Sequence, residues 1–379
     1  MNFNDKEIRN DVKTTFHLWD FSDTIYFLIK PEARKIYFNK IYSFYGNKRK
    51  AAKNLELSPK TIRTYEDGFS VKHKIKHPQY IPARFFKKTL HIFDLEFLEN
   101  LEKNVEALSV RNGLDVKNPK LPISESPELY SIIVHMIADG SASKRCTPYY
   151  GNSCQSLRDN FKTNLNIFGE AEISESKVGG TIGVNFPKAI TDILSHCFNI
   201  AFTHPNKLPS QIFTASLECK KAFLQALFDD EGTISTNLIV GIHNISIMEE
   251  IKALINSIGI ETGNLMIHPY PYKKDKITLR IPTKEYIKFK DLIGFSHPQK
   301  AANLEIAIQR KNREQRTRDM NYIEERILRI LELKPSKTME LANELLFTIN
   351  GINPHLKRML NDGLITKRGY KNEFIWDIV

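Results

Sequence analysis

Residues 130–140 read YSIIVHMIADG, and residues 222–232 read AFLQALFDDEG. Each is an apolar run that closes on an acidic residue followed by glycine, and Asp139 and Glu231 stand 92 residues apart. The correspondence extends outward. LNIFG (165–169) answers INSIG (255–259), with glycines 90 apart, and IAFTHPNK (200–207) answers IGFSHPQK (293–300), with lysines 93 apart. IGVNFPKAI (182–190) answers ITLRIPTKEYI (277–287). Four matches in one order at a nearly constant offset mean a tandem duplication. Two similar lobes about a pseudo-twofold axis follow, each with one carboxylate. Such an arrangement suits a partner with two antiparallel halves, as duplex DNA has.

The remaining composition agrees with a nucleic-acid partner. The chain has 379 residues, 41% hydrophobic and 26% charged, which is ordinary for a globular protein of two to four domains. Its formal net charge is +11, and the excess is local: residues 34–88 hold fifteen Lys or Arg against Glu56, Glu66 and Asp67. A basic face of this kind favours a polyanion; a merely solvated face is the alternative. Cys146, Cys154, Cys197 and Cys219 form no CxxC pair and have no histidine at zinc-ligand spacing, so they read as incidental thiols. MNFNDKEIRN at the start lacks an apolar segment, and no apolar run reaches membrane-spanning length. A soluble, cytoplasmic protein with no membrane partner is expected.

Along the chain, residues 1–30 receive no assignment. KIYFNKIYSFYG (35–46) places Ile36, Ile41, Phe44 and Tyr45 at roughly helical spacing, and KRKAAKNLEL (48–57) turns Ala51, Ala52 and Leu55 inward. Ser58 and Pro59 read as the cap and first position of a helix that ends at Gly68. IPARFFKKTLHIF (81–93) starts again on a proline and carries Phe85, Phe86 and Leu90. NPKLPISESP (118–127), with three prolines, reads as a linker, and RKNREQRTR (310–318) as a charged helix or linker. In the last stretch, EERILRILEL (324–333) and TMELANELL (338–346) read as helices. A third helix is capped by Asn353, begins at Pro354 and stops before Gly363, and LITKRGYKNEFIWDI (364–378) alternates as a hairpin does.

The repeated acidic stretches, IIVHMIADG (132–140) and LQALFDDEG (224–232), resemble the motif of the LAGLIDADG homing endonucleases. The first departs at Val134 and His135, where a small and an apolar residue are usual. The resemblance implies an α+β core of two αββαββα-like repeats whose sheets form a saddle over duplex DNA. It makes Asp139 and Glu231 the catalytic acids and ligands of Mg²⁺ (or Mn²⁺), and Lys207 and Lys300 their basic partners. A solvated lysine at a helix start is the other reading of each HPxK turn. The DNA-facing set it implies is Lys144, Arg145, Thr236, Asn237, Lys273, Lys274 and Arg280; polar outward residues of a half-buried sheet would look the same. The chemistry is coherent in its own right. A carboxylate at a helix C-terminus opposes the macrodipole, and a hard cation offsets it. Gly140 and Gly232 would let the chain leave each helix in a left-handed conformation.

The flanks carry looser resemblances. The helical stretch from about 34 to 94, within an expected all-α domain at 31–117, resembles the helix-turn-helix of lambda-repressor/Cro-like regulators. That implies Lys60, Thr61, Arg63 and Thr64 on the groove-facing helix, with Lys48, Arg49 and Lys50 at phosphates. Residues 313–379 resemble a winged helix, with His355, Lys357 and Arg358 on its recognition helix. The expected organisation is therefore a helix-turn-helix domain, a linker at 118–127, a LAGLIDADG domain at 128–312 (repeats 128–215 and 216–312) and a winged helix. The expected activity is site-specific, metal-dependent double-strand DNA cleavage of the homing type, by a monomer with internal pseudo-twofold symmetry. A transcription regulator on a non-cleaving form of the same fold is the alternative.

Overall fold

The first motif helix shows how local sequence sets an element. Ser126 caps it, its side chain accepting the Leu129 N–H at 3.2 Å, and Pro127 supplies the preset φ of the first turn, so the helix runs Pro127–Ala138. Leu129, Tyr130, Ile132, Ile133, Val134, His135 and Met136 are all buried. A helix covered on so many sides lies inside the molecule, and each fully buried aliphatic side chain contributes about 1.5–3 kcal/mol. The second motif helix, Leu217–Glu231, buries Phe223, Leu224, Ala226, Leu227, Phe228 and Asp229.

These elements come from a computed structural model, which describes residues 14–67, 69–71, 75–77, 80–111, 113–143, 146–235, 237–269, 275–312, 320–369 and 374–379. Packing divides the chain into two units, Met1–Asp230 and Glu231–Val379. The border falls inside the second motif helix, Leu217–Glu231.

Both repeats have the order αββαββα. In the first, strands Gly140–Ser141 and Tyr149–Asn152 follow the motif helix; then come helix Gln155–Leu165, strands Ser174–Val178 and Thr181–Asn185, and helix Lys188–Cys197. In the second, the series is Gly232–Ile234, Leu238–Ile242, helix Ile245–Ser257, Leu265–His268, Lys276–Ile281 and helix Tyr286–Leu292. Each makes a four-stranded antiparallel sheet with its second and fourth strands central. Gly169 and Gly259, matched in the sequence, both take positive φ, +123° and +85°.

The region before the repeats is not all-α. Strands Ile25–Ile29, Ile81–Pro82, Val105–Val110 and Val116–Lys117 join Glu170–Ala171 of the first repeat in one five-stranded sheet. The expected linker also pairs, Ile123–Ser124 lying antiparallel to Thr15–Phe16. Helix Lys188–Cys197 packs on strands 25–29 and 105–110. The N-terminal region is thereby built into the first unit by a shared sheet.

Three helices follow strand Ile25–Ile29 and pack against one another: Pro31–Tyr45, Lys48–Asn54 and Pro59–Asp67. Ser58 caps the third, accepting the Thr61 N–H at 3.0 Å, and Ala51, Ala52, Leu55 and Ile62 are buried. The inward face of the first helix is Tyr37, Phe38 and Ile41, whereas Ile36 and Phe44 are more than half exposed. Gly68, Lys72 and Lys74 lie outside the described residues; 69–71 and 75–77 form a two-stranded hairpin. The helix expected at 81–93 begins later, at Ala83, because Ile81–Pro82 is a strand.

At the C-terminal end, helices Met320–Leu333, Thr338–Glu344 and Ile349–Asn361 pack against a three-stranded antiparallel sheet of Ser336–Lys337, Ile375–Ile378 and Ile365–Arg368. Their core is self-contained, from Ile323 and Ile327 through Leu341, Ile352, Leu356 and Met359 to Trp376. The third helix is capped by Thr348, not Asn353, and Pro354 lies inside it. Among the described residues, no helix is long and apolar enough to cross a membrane.

Candidate functional site

Asp139 follows the last residue of its helix as C-cap, with its N–H donating to His135 O, and its side chain is exposed. The glycine after it serves a purpose other than the expected left-handed exit. Neither Gly140 nor Gly232 has positive φ; each opens a strand. A Cβ on Gly140 would lie 2.5 Å from Met136 Cα and 2.7 Å from Met136 O, so only glycine lets the chain turn back this tightly. Glu231 ends the second motif helix as a helical residue, partly exposed. It belongs to the second unit.

Beside Asp139 lies a residue that the sequence reading passed over. The Asp230 carboxylate is fully buried, and three donors meet it. His135 Nδ1 is 2.7 Å from Oδ2; the Tyr150 hydroxyl donates to Oδ1 at 2.7 Å, and Asn152 Nδ2 to the same oxygen at 3.2 Å. Burial of a carboxylate is tolerable only when its oxygens are so satisfied. His135 is packed at 4.7 Å from the Tyr150 ring, and Phe161 closes on both. Burial first, and then the Asp230 charge, push the Tyr150 phenol far above its ordinary pKa, so it keeps its proton and acts as a donor.

Asn152 links this network to the exposed acid. Its Oδ1 accepts the Cys154 N–H at 2.9 Å, which orients the amide and turns Nδ2 toward the carboxylates. Nδ2 then reaches Asp139 Oδ2 at 3.4 Å as well as Asp230. Asp139 O accepts the Gly151 N–H at 3.2 Å. The buried Arg158 holds the same turn through the carbonyls of Asn152 (2.9 Å) and Ser153 (3.0 Å).

The donor set decides what Asp139 and Asp230 can hold. A hard divalent ion such as Mg²⁺ or Mn²⁺ takes one or two protein carboxylates and keeps water or phosphate oxygens for the rest. Exposed Asp139 fits that role; Asp230, consumed by three donors, does not. Among the described residues no group of three or more His, Cys, Asp or Glu converges as a metal cage.

The other expected residues fall out unevenly. Lys207 is exposed in an irregular segment, whereas Lys300 is in the first turn of helix Pro298–Asn312. Asn237 is partly exposed, and Arg280 is exposed on its strand. Lys144, Arg145, Thr236, Lys273 and Lys274 lie outside the described residues. Arg49, Lys50 and Lys60 are exposed, but Lys48 is bonded to Glu66 at 2.5 Å. Thr61 is shared with Ser58, Thr64 bonds back to Lys60 O, and Arg63 pairs with Asp67 at 3.3 Å. His355 is buried, a correction to its expected place on a DNA-facing surface, because its helix turns that side to Glu324 and Phe347. Arg358 pairs with the same Glu324 at 2.6 Å, and Lys357 is exposed.

Two signals could have found the site's hidden members. His135 and Asp230 are departures from the motif in opposite helices, one polar residue answering another. Asn152 recurs as Asn244 at the offset of 92, where it caps helix Ile245–Ser257.

No protein-family model matches the chain, and no curated protein does. Among solved structures, the chain is similar to I-DmoI in complex with DNA and Mn, at 15% identity and a TM-score of 0.32, over 44% of this chain and 96% of that one. It is also similar to full-length DUF199/WhiA from Thermatoga maritima, at 16% identity and a TM-score of 0.33, over 64% of this chain and 93% of that one. The N-terminal LAGLIDADG domain of DUF199/WhiA matches at 15% identity and a TM-score of 0.31, over 46% and 86%.

Proposed function

We propose that the chain is a double-motif LAGLIDADG endonuclease. It binds duplex DNA through the sheets of its two repeats and cuts a defined site, with Asp139 serving one strand and Glu231 the other. The observation that carries this reading is the twice-repeated αββαββα order with an acid at each motif-helix end, Asp139 being left exposed while its neighbour Asp230 is consumed inside.

Asp139 and Glu231 would hold Mg²⁺ or Mn²⁺, which when bound offsets phosphate charge and lowers the pKa of an attacking water. Asn152 restrains the Asp139 carboxylate. Lys207 and Lys300 supply positive charge toward the phosphate as its negative charge develops. Arg280 and Asn237 face base edges or phosphates in one half-site. Arg49, Lys50 and Lys60 add phosphate contacts from the N-terminal helices, read as a helix-turn-helix, and Lys357 from the C-terminal module, read as a winged helix. The protein acts as a monomer, inside the cell where its DNA is.

A second reading, a DNA-binding regulator that does not cut, is favoured by the helical modules on both flanks. Cleavage assays on a genomic-site library separate the two, with Mg²⁺ or Mn²⁺ against chelator. Site-specific cutting that chelator stops supports the nuclease. Tight binding to one site with no cutting by either metal ends that reading and leaves the regulator.

A further inference from the structure

We infer that Asn152 is a positioning residue for Asp139, and that the buried His135–Asp230–Tyr150 network exists to hold it. The inference rests on the nuclease reading and deepens it. It begins from an expense the fold has accepted. A carboxylate with no solvent exposure sits beside His135, a position where the motif this helix resembles usually carries an apolar residue. The counterparts in the other half of the duplication show that the backbone does not require it: Ala138 matches Asp230, Leu227 matches His135 and Ile242 matches Tyr150 at the 92-residue offset. Buried polar groups are retained at such a cost where they specify one arrangement.

The arrangement specified is that of one amide. Cys154 N–H fixes Asn152 Oδ1, Arg158 fixes the carbonyls on either side of the turn, and Asp230 Oδ1 draws Nδ2 inward. An amide held at two points on a fixed turn has one remaining N–H, and Asp139 Oδ2 lies 3.4 Å from its nitrogen. Donation from a neutral amide orients the carboxylate without cancelling its charge. His135 and Tyr150 complete the shell of Asp230, so that its charge is spent on donors within the fold and does not compete for the ion. Groups that orient a metal ligand from behind are worth about 10–100-fold in metal affinity.

The test measures Mn²⁺ affinity of the full-length protein by electron paramagnetic resonance, with single-turnover cleavage beside it. Asp139→Asn should remove one Mn²⁺ site. Asn152→Ala should weaken that site by about tenfold and lower kcat with KM for the duplex unchanged. In the Asp139→Asn background the Asn152→Ala change should have no further effect on Mn²⁺. If Asn152→Ala fails to fold, Asn152→Ser, which keeps an acceptor for the Cys154 N–H, takes its place with the same expected loss. An Asp139-dependent site that either variant leaves at wild-type affinity overturns this inference alone. Mn²⁺ binding that Asp139→Asn does not change overturns the nuclease reading, and this inference with it.

Discussion

The two repeats share one order of elements and differ in what they place on them. In the first, the motif helix carries a histidine that reaches Asp230, and strand Tyr149–Asn152 adds a phenol and an amide. In the second, the matching positions are leucine, isoleucine and an asparagine used as a helix cap. The sheets diverge too. On the face opposite the buried Tyr150 and Val184, the first sheet presents Tyr149, Gly151, Ser174, Ser176, Thr181, Gly183 and Asn185, none of them charged. On the face opposite Leu238, Val240 and Leu279, the second presents Lys276, Arg280 and His268. Core positions must keep volume and period, so duplication preserves them. A solvent-facing surface carries no such packing constraint and is free to diverge.

The largest effect should fall on the two acids. Asp139→Asn or Glu231→Gln should slow cleavage by about 10³-fold or more while duplex affinity stays within a few-fold, since a ligand charge is lost and shape is kept. If the half-sites act separately, each variant nicks the strand served by the other acid. Strand-resolved gels check this, and equal double-strand cutting by both variants would refute separate roles.

Next comes the buried network. Asp230→Ala strands His135 and Tyr150 inside and should destabilise the protein by about 3–5 kcal/mol in denaturant unfolding. His135→Leu with Asp230→Ala, which copies the pair carried by the other repeat, should recover most of that loss. Strictly additive losses would show that the two residues do not depend on each other.

The matched glycines provide a finer contrast. A Cβ on Gly169 would lie 2.7 Å from the carbonyl oxygens of Lys117 and Asn118, at φ +123°. At Gly259 the nearest atom is Lys288 Nζ, at 3.3 Å, the movable end of a long side chain. Gly169→Ala should therefore cost about 2–4 kcal/mol and Gly259→Ala about 1 kcal/mol. Equal melting shifts would contradict this ordering.

The smallest effect tests the unequal sheets. Arg280→Ala should weaken duplex binding about tenfold and flatten its salt dependence by roughly one charge, while Ser176→Ala should leave both nearly unchanged. A larger loss from Ser176→Ala than from Arg280→Ala would contradict this ordering.

Much of this was legible before any coordinates. The 92-residue period, the motif helices and the Ser58–Pro59 helix start are written in local pattern. Spacing of apolar residues and a capping side chain act over a few positions, so a short window contains all the physics they need. The N-terminal sheet was not legible in the same way. IYFLI at 25–29 is a short apolar run that serves as strand or buried helix, and its partner strand begins at Val105. His355 was misplaced for a related reason: which side of its helix is covered depends on Glu324, an acid on another helix.

The chain alone determined that the molecule is built twice, where each motif ends, and that an acid stands at each end. Only tertiary structure decided how the side chains around the first of those ends are held. His135 looked like a defect in the motif because its partner lies 95 residues away, and Asp230 looked like one more acid in a DDEG run. Closing the chain brought an imidazole, a phenol and an amide onto one carboxylate and left the next acid in the open. A buried charge has a stable place only where distant donors converge on it, and that convergence is a property of the fold and not of any stretch of sequence.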